Sequence, residues 1–368
     1  SILISSIFSQ SLGEYYDFIY NCDRNQSINK INEFNYFHSG KDFDQLNIRY
    51  DYFNSVINYD QKFKDNNLFL SYNKLKTINS NFDFIFSIYI ENQKKDAVNP
   101  NSIFYNDSFN GLSADLQQSY LKYSNKFLKI KIGRDFFIPG KYFDDRLMFS
   151  SIGLPYDQFA ITFEHEKLSI SSFYLKLNDF SVQDIIYQRH LNGRRINFNF
   201  DTGYLSLSEV SIYGGENRFI ELPLINPFNI SYIYQMNNNF NLNSIVSLEY
   251  FLEKSSYSFF FEFVLDDIQI EKNNSNDLEP TEFGLFLNFI KDINQSLAFN
   301  VNYVIISNRT FNAPVNNYEK MIYKNFPIGH ILGNNFWKIE SNLIFSNEKL
   351  SLSFGNVFIE KGEDALFS

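Results

Sequence analysis

From residue 45 onward, apolar side chains recur at every second position. Leu46, Ile48, Tyr50 and Tyr52 alternate with Asn47, Arg49 and Asp51. Phe82, Phe84, Phe86, Ile88 and Ile90 share one parity, and Phe159, Ile161 and Phe163 alternate with Ala160, Thr162 and Glu164. Tyr257, Phe259, Phe261, Phe263 and Leu265 run opposite Ser256, Ser258, Glu262 and Asp266. The same pattern returns at Leu297–Ile305 and at Leu350–Phe354. A period of two is the strand signal. Tiny turns join the strands in pairs, at Glu166-Lys167, Asp201-Thr202-Gly203, Lys254-Ser255, Ile293-Asn294 and Asn347-Glu348. Longer polar connections separate the pairs at 92–112, 136–157, 214–242, 267–281 and 307–335. About twelve strands are legible against the template of alternating segments of roughly ten residues.

Strands with one apolar and one polar face fit either a soluble core or a bilayer. The hairpin RRINFNFDTGYLSLSEVSIYGGENRF, residues 194–219, states the choice: Ile196, Phe198 and Phe200 on one face, Arg195, Asn197 and Asn199 on the other. A soluble sandwich or propeller also alternates. Here the apolar parity is nearly all Phe, Leu, Ile and Tyr, with few small residues to interdigitate two sheets, and no repeat of propeller length is visible. Short turns at one end and long loops at the other are the outer-membrane pattern. No stretch offers the roughly 20 apolar residues of a transmembrane helix, and a closed barrel is the remaining way to satisfy every backbone group in lipid. The expectation is therefore an all-β chain, an antiparallel transmembrane β-barrel of the bacterial outer membrane over residues 45–368, with C-terminal strands missing. Ile196, Phe198 and Phe200 should face lipid, and Arg195, Asn197 and Asn199 a lumen. The apolar parity switches from Leu205 and Leu207 to Val210 and Ile212, which predicts a β-bulge just before Tyr213-Gly214-Gly215.

The ends read differently. Residues 1–11 resemble the tail of a secretory signal peptide, SILISSIF followed by Ser9-Gln10-Ser11. Residues 12–44 suit a short helical or plug-like segment outside the barrel.

Composition sharpens this only in part. The 368 residues include 43 Phe and 25 Tyr but 1 Trp, yet mean hydropathy is -0.28, so the apolar residues are interleaved. Net charge is -10, which argues against a nucleic-acid partner. One cysteine, Cys22, excludes an internal disulfide framework and a cysteine-cluster metal site.

No catalytic signature stands out: the four histidines lack metal-ligand spacing, and no nucleophile elbow or phosphate loop is present. Gly133 and Gly214-Gly215 read as strand-end bulges or turns, and Asp144-Asp145 as loop carboxylates. The charged residues of interest fall between 129 and 221. Lys129, Lys131, Arg134, Asp135, Arg146, Arg189, Arg194, Arg195, Glu209, Tyr213, Asn217, Arg218 and Glu221 are the candidates for a ligand-binding or lumen-lining set. A mixed-charge lattice of this kind serves equally as a structural brace and as a binding surface. Arginine forks pair carboxylates bidentately, so an acidic saccharide is one ligand such a surface would take.

Four motifs in order, IKIGRDFFIPG, DDRLMFSSIGLPYDQF, YQRHLNGRRINFNF and SEVSIYGGENRFIELPLINPF, resemble the capsule assembly Wzi family of outer-membrane proteins. The resemblance spans roughly residues 115–368 and is strongest over 130–230. It implies a large outer-membrane β-barrel with helical elements near the periplasmic end, no enzymatic activity, and binding of capsular polysaccharide at the cell surface; the further expectations are no cofactor, outer-membrane lipid and capsular or exopolysaccharide as partners, and a monomer. It carries Arg134, Asp135, Arg146, Arg189, Arg194, Asn217 and Arg218 over as barrel-lining positions. The N-terminal region departs from the family, and no obvious terminal strand ends in an aromatic residue. The rival expectations are a passive porin and an outer-membrane hydrolase.

Overall fold

The computed structural model describes residues 43–58, 61–92, 112–149, 154–267, 281–313, 316–324, 326–346, 350–363 and 366. The expected signal remnant and the helical or plug-like segment to residue 42 lie outside the described residues. The chain divides into two compact units, through Leu121 and from Lys122. In the first, β1 (Phe43–Asn58), β2 (Gln61–Asn79) and β3 (Phe82–Asn92) form an antiparallel meander. β4 (Leu112–Ser124) crosses the division.

The second unit continues with β5 (Leu128–Asp135), β6 (Tyr156–His165), β7 (Leu168–Lys176), the short β8 (Phe180–Val182), β9 (Ile185–Phe200) and β10 (Gly203–Glu216). Then follow helix α1 (Leu222–Ile225), helix α2 (Ser231–Asn238), β11 (Asn243–Lys254), β12 (Tyr257–Asp267), β13 (Glu282–Asn294) and β14 (Leu297–Ile306). A 3-10 turn (Asn317–Glu319), the ribbon β15 (Ile322–Tyr323) and β16 (Phe326–Pro327), and β17 (Phe336–Ser346) and β18 (Ser351–Lys361) complete it. From β5 each main strand pairs antiparallel with the next, and β8 alone stands aside, against β9. Among the described residues, no helix is long and apolar enough to cross a membrane.

Register settles the two faces. Phe198 pairs with Leu168 and Leu205, Ile196 with Ile170 and Leu207, and Leu207 with Leu248. These side chains are exposed or half-buried on one face. An exposed belt of Phe, Ile and Leu is what hydrocarbon solvates and water does not. The opposite face carries Arg195, Ser208, Glu249 and Glu262, all buried. Long connections gather at one end of these strands and two-residue turns at Glu166-Lys167 and Asp201-Thr202 at the other.

The expected bulge before Tyr213 is absent. β10 keeps unbroken register with β9 from Gly203↔Phe200 to Glu216↔Tyr187, with Gly214 and Gly215 inside the ladder. The apolar parity changes because the covering changes. Above Leu207 the outer face meets protein rather than lipid, and the inner-facing Val210 and Ile212 are completely buried.

Candidate functional site

The connection after β5 turns inward. Phe137 packs on the inner-face Phe173 of β7 at 4.3 Å between ring centroids, and Phe143 reaches Phe260 of β12 at 4.4 Å. The loop therefore runs across the inner face from β7 to β12. At its tip Lys141 Nζ comes within 3.7 Å of Glu253 Oε2, one residue before the end of β11. It thus descends the wall from the long-loop end to the short-turn end. Gly140 makes this path feasible. Its φ is +82°, and an added Cβ would lie 2.7 Å from an Arg195 guanidinium nitrogen and 2.9 Å from the Tyr204 hydroxyl.

Arg146 fastens the loop. Its side chain is 0% exposed. NH2 donates to Glu249 Oε1 at 2.7 Å and Nε to Glu262 Oε2 at 3.2 Å. NH1 donates to the Pro139 and Lys141 carbonyls at 2.7 and 2.8 Å. Glu262 also accepts the backbone N–H groups of Leu147 and Met148. Arg195 closes the set, donating to both Glu249 oxygens at 2.5 and 3.0 Å. Two arginines thus face two carboxylates, all buried, the pairing without which such burial is prohibitively costly. Burial alone would lower the Arg146 pKa, but the Glu249 and Glu262 carboxylates outweigh it and push it above the usual arginine range.

A second inward connection, residues 307–335, is fixed by three contacts. Arg189 donates to the carbonyls of Tyr318, Lys320 and Ile322 at 2.6 to 2.9 Å. Tyr323 stacks on Tyr156 at 4.6 Å. His330 Nε2 meets Asp145 Oδ1 at 3.1 Å while its Nδ1 accepts the Leu332 N–H, and Lys338 Nζ donates to both Asp145 oxygens at 2.8 and 3.0 Å. An Nδ1 that accepts a backbone N–H carries no proton, so His330 is the neutral Nε2–H tautomer. Burial lowers its pKa, countered only in part by Asp145. Burial pushes the Asp145 carboxyl up, but the His330 hydrogen bond and the Lys338 ammonium outweigh it and hold it well below the usual carboxylate range.

The remaining candidates separate by face. Lys129 and Lys131 lie on the inner parity with Gly133 and Asp135, opposite Thr162 and Ala160. Lys129 pairs with Glu164 at 2.6 Å and Lys131 with Asp135 at 2.7 Å. Arg134 is on the other face, forked onto Asp157 at 2.9 Å through both Nε and NH2. Arg194, Glu209 and Tyr213 also sit on the outer face, since neighbours on a strand alternate and Arg195 points inward. Arg194 meets Glu209 at 3.2 Å, and the Tyr213 hydroxyl accepts the Glu221 N–H. Asn217, at φ 52°, Arg218 and Glu221 belong to the connection beyond β10, with Arg218 and Glu221 3.2 Å apart. Arg134, Arg194, Glu209, Tyr213, Asn217, Arg218 and Glu221 therefore form no common inner lining with Arg195.

Several inner-face residues had no standing in the sequence pattern alone. Glu249 and Glu262 are charged residues among many, and only their burial distinguishes them, whereas Asp145, read from the sequence as a loop carboxylate, is buried on the inward connection. Near the middle of β13, β14 and β17 lies an amide cluster, where Asn288 donates to Asn300 and Asn302 at 2.8 and 2.5 Å and Asn342 to Glu340 at 2.8 Å. Asn300, Asn302 and Asn342 are half-buried. Amides of this kind hydrogen-bond hydroxyls, as donor and as acceptor, without adding a charge. Among the described residues, no group of three or more His, Cys, Asp or Glu is placed to hold a metal.

No protein-family model matches the chain, and no curated protein matches it. Solved structures do. One is Wzi of Escherichia coli, described as an outer-membrane protein involved in group 1 capsule assembly and a carbohydrate-binding β-barrel. It matches with a TM-score of 0.54 at 12% identity over 81% of this chain. The chain spans 65% of the Wzi length. OmpF of Salmonella typhi matches with a TM-score of 0.47 at 9% identity, covering 89% of this chain and 95% of that one. A Rhodopseudomonas blastica porin matches at 0.42 and 8%, covering 86% and 97%. The likeness to Wzi, joined to the apolar outer belt and the buried polar inner face, establishes the architecture. The chain has the antiparallel transmembrane β-barrel fold of Gram-negative outer-membrane proteins.

Proposed function

We propose that the chain is a noncatalytic outer-membrane barrel that binds capsular or exopolysaccharide and assists its assembly or attachment at the cell surface. The observation that carries this reading is the loop 136–149. It descends the inner wall as far as Glu253 and is held there by Arg146, Glu249, Glu262 and Arg195. A barrel wall so covered favours holding a ligand over free passage of solutes. The similarity to Wzi, described as a carbohydrate-binding barrel, supports the same reading. Against a hydrolase, the His330 Nδ1 is taken by the Leu332 N–H and its Nε2 by Asp145, so that ring has no acceptor nitrogen left to serve as a general base.

The second reading, a passive porin for small hydrophilic solutes, draws on the half-buried Asn300, Asn302 and Asn342 and on the Lys129–Glu164 pair, which leave part of the inner face polar. Three measurements separate the readings. Purified protein in planar bilayers should conduct little and should retain acidic polysaccharide on a binding column. Cells lacking the gene should shed capsule into the medium. Open-pore conductance together with unchanged capsule retention would replace this proposal with the porin.

A further inference from the structure

The connection between β10 and β11 does not enter the barrel. It lies on the outer wall. Ser231 Oγ accepts from Arg194 NH2 at 2.9 Å, and the Ser231 N–H donates to Glu209 at 3.0 Å. The Leu224 carbonyl accepts from Arg194 and the Ile225 carbonyl from Ser172. Leu224, Phe240 and Leu242 pack with Tyr213 beneath the segment, and Arg218 lies over the Phe240 ring at 4.0 Å. Ser172, Arg194 and Glu209 occupy the strand positions directly beyond the lipid-facing Ile170, Ile196 and Leu207. The segment therefore begins one pleat, about 7 Å, above the lipid belt and on the same face.

Its far side is apolar. Phe228 is 76% exposed, Leu222 75% and Met236 69%, with Phe219, Tyr232 and Ile233 beside them. From Leu222 to Leu248 the sequence contains no Asp, Glu, Lys, Arg or His. Contiguous exposed apolar surface of this kind marks an interaction surface. Three observations choose the occupant: continuity with the lipid-facing belt, absence of charge from Leu222 onward, and the contacts of Ser231, Leu224 and Ile225 with Arg194, Glu209 and Ser172 of the barrel wall. A helix-bearing segment with apolar and aromatic side chains outward and polar contacts inward is the pattern of an interfacial membrane element.

We propose that residues 222–236 are embedded in lipid at the long-loop end of the barrel. They form a membrane wedge that extends the apolar belt and shields the Arg194–Glu209 pair from hydrocarbon. A charged pair on the lipid side of a strand is costly, and the wedge turns that position into protein interior. This inference is independent of whether the barrel binds saccharide.

The test uses tryptophan as a depth probe. In a Trp337→Phe background, Phe228→Trp and, separately, Leu222→Trp are reconstituted into vesicles of phospholipid brominated on the acyl chains. Phe198→Trp on the belt is the reference, and folding is checked by heat-modifiable gel migration. At least about a twofold loss of emission at positions 228 and 222, matching position 198, with little quenching by aqueous iodide, is expected. Quenching by iodide and not by bromolipid would overturn the wedge. So would protection from both quenchers accompanied by chemical cross-linking between copies, which would assign the patch to a second copy of the chain.

Discussion

Replacing Arg146 by methionine keeps an unbranched side chain but deletes the group that joins loop 136–149 to the wall. The variant loses the hydrogen bonds to Glu249, Glu262 and the Pro139 and Lys141 carbonyls. Glu249 keeps Arg195, and Glu262 keeps two backbone N–H groups, but a buried carboxylate has lost its opposite charge. Breaking one partner of a buried pair costs about 3–5 kcal/mol. At about 1.4 kcal/mol per tenfold, the released loop gains a factor of roughly 100 to 4,000 in population relative to the latched one. Urea unfolding in detergent reads the loss of stability, and single-channel recording in planar bilayers reads the release, as larger or flickering conductance. Adding Glu262→Gln to Arg146→Met removes the orphaned charge and should return about 1–3 kcal/mol, the coupling expected of neighbours in one network. If Arg146→Met unfolds and conducts like the unaltered protein, the loop is not held by this pair. If the double variant loses the sum of the two single losses, the two residues are not coupled.

Other consequences follow from the same geometry. Gly140→Ala forces a Cβ against Arg195 at a positive φ and should cost about 1–3 kcal/mol, with the same conductance change as Arg146→Met; an unchanged unfolding midpoint would refute the close approach. Phe198→Arg puts a charge on the lipid belt and should cost about 2–4 kcal/mol if that position lies near the bilayer midplane, less toward either rim, whereas a neutral effect in vesicle-refolding titrations would argue that Phe198 meets water. The His330 latch should loosen with acid. The folded state holds His330 neutral, so below the ordinary histidine value of about 6.5 the unfolded state binds more protons and stability falls as pH drops. Asp145, depressed in the fold, adds loss of the same sign below its ordinary 3.8. Glu319, on the same connection, opposes this, because burial raises its carboxyl to about 7 and its penalty grows as pH rises through that value. Hydrogen exchange of residues 326–335 at pH 7.5 and 5.0 should therefore be compared in a Glu319→Gln background, where protection should fall at pH 5.0 and stay flat once His330→Gln is added.

The alternating pattern alone determined the fold class, because a period of two with Phe, Ile and Leu on one parity has few solutions once transmembrane helices are excluded. It also assigned Ile196 and Phe198 to lipid and Arg195 to the inside, since parity along one strand is a local property that register only confirms. Among the described residues, turn positions were legible to within a residue or two for the same reason; the expected turn at Asn347-Glu348 lies outside them. What parity could not convey was which part of each face would be covered. Arg194 and Arg195 are adjacent and chemically identical, yet one lies under an outer wedge and the other in an inner latch. The difference is made by residues 222–231 and 140–146, which fold back onto the strands from outside the ladder. The change of apolar parity at Val210 was real but its cause was tertiary, a change of covering along an unbroken strand rather than a bulge. Glu249 and Glu262 look like any inward-facing carboxylates until Arg146 arrives from more than one hundred positions away. Strand identity is written in neighbours one and two residues apart, whereas burial and charge pairing depend on where the long connections come to rest, and only the folded chain decides that.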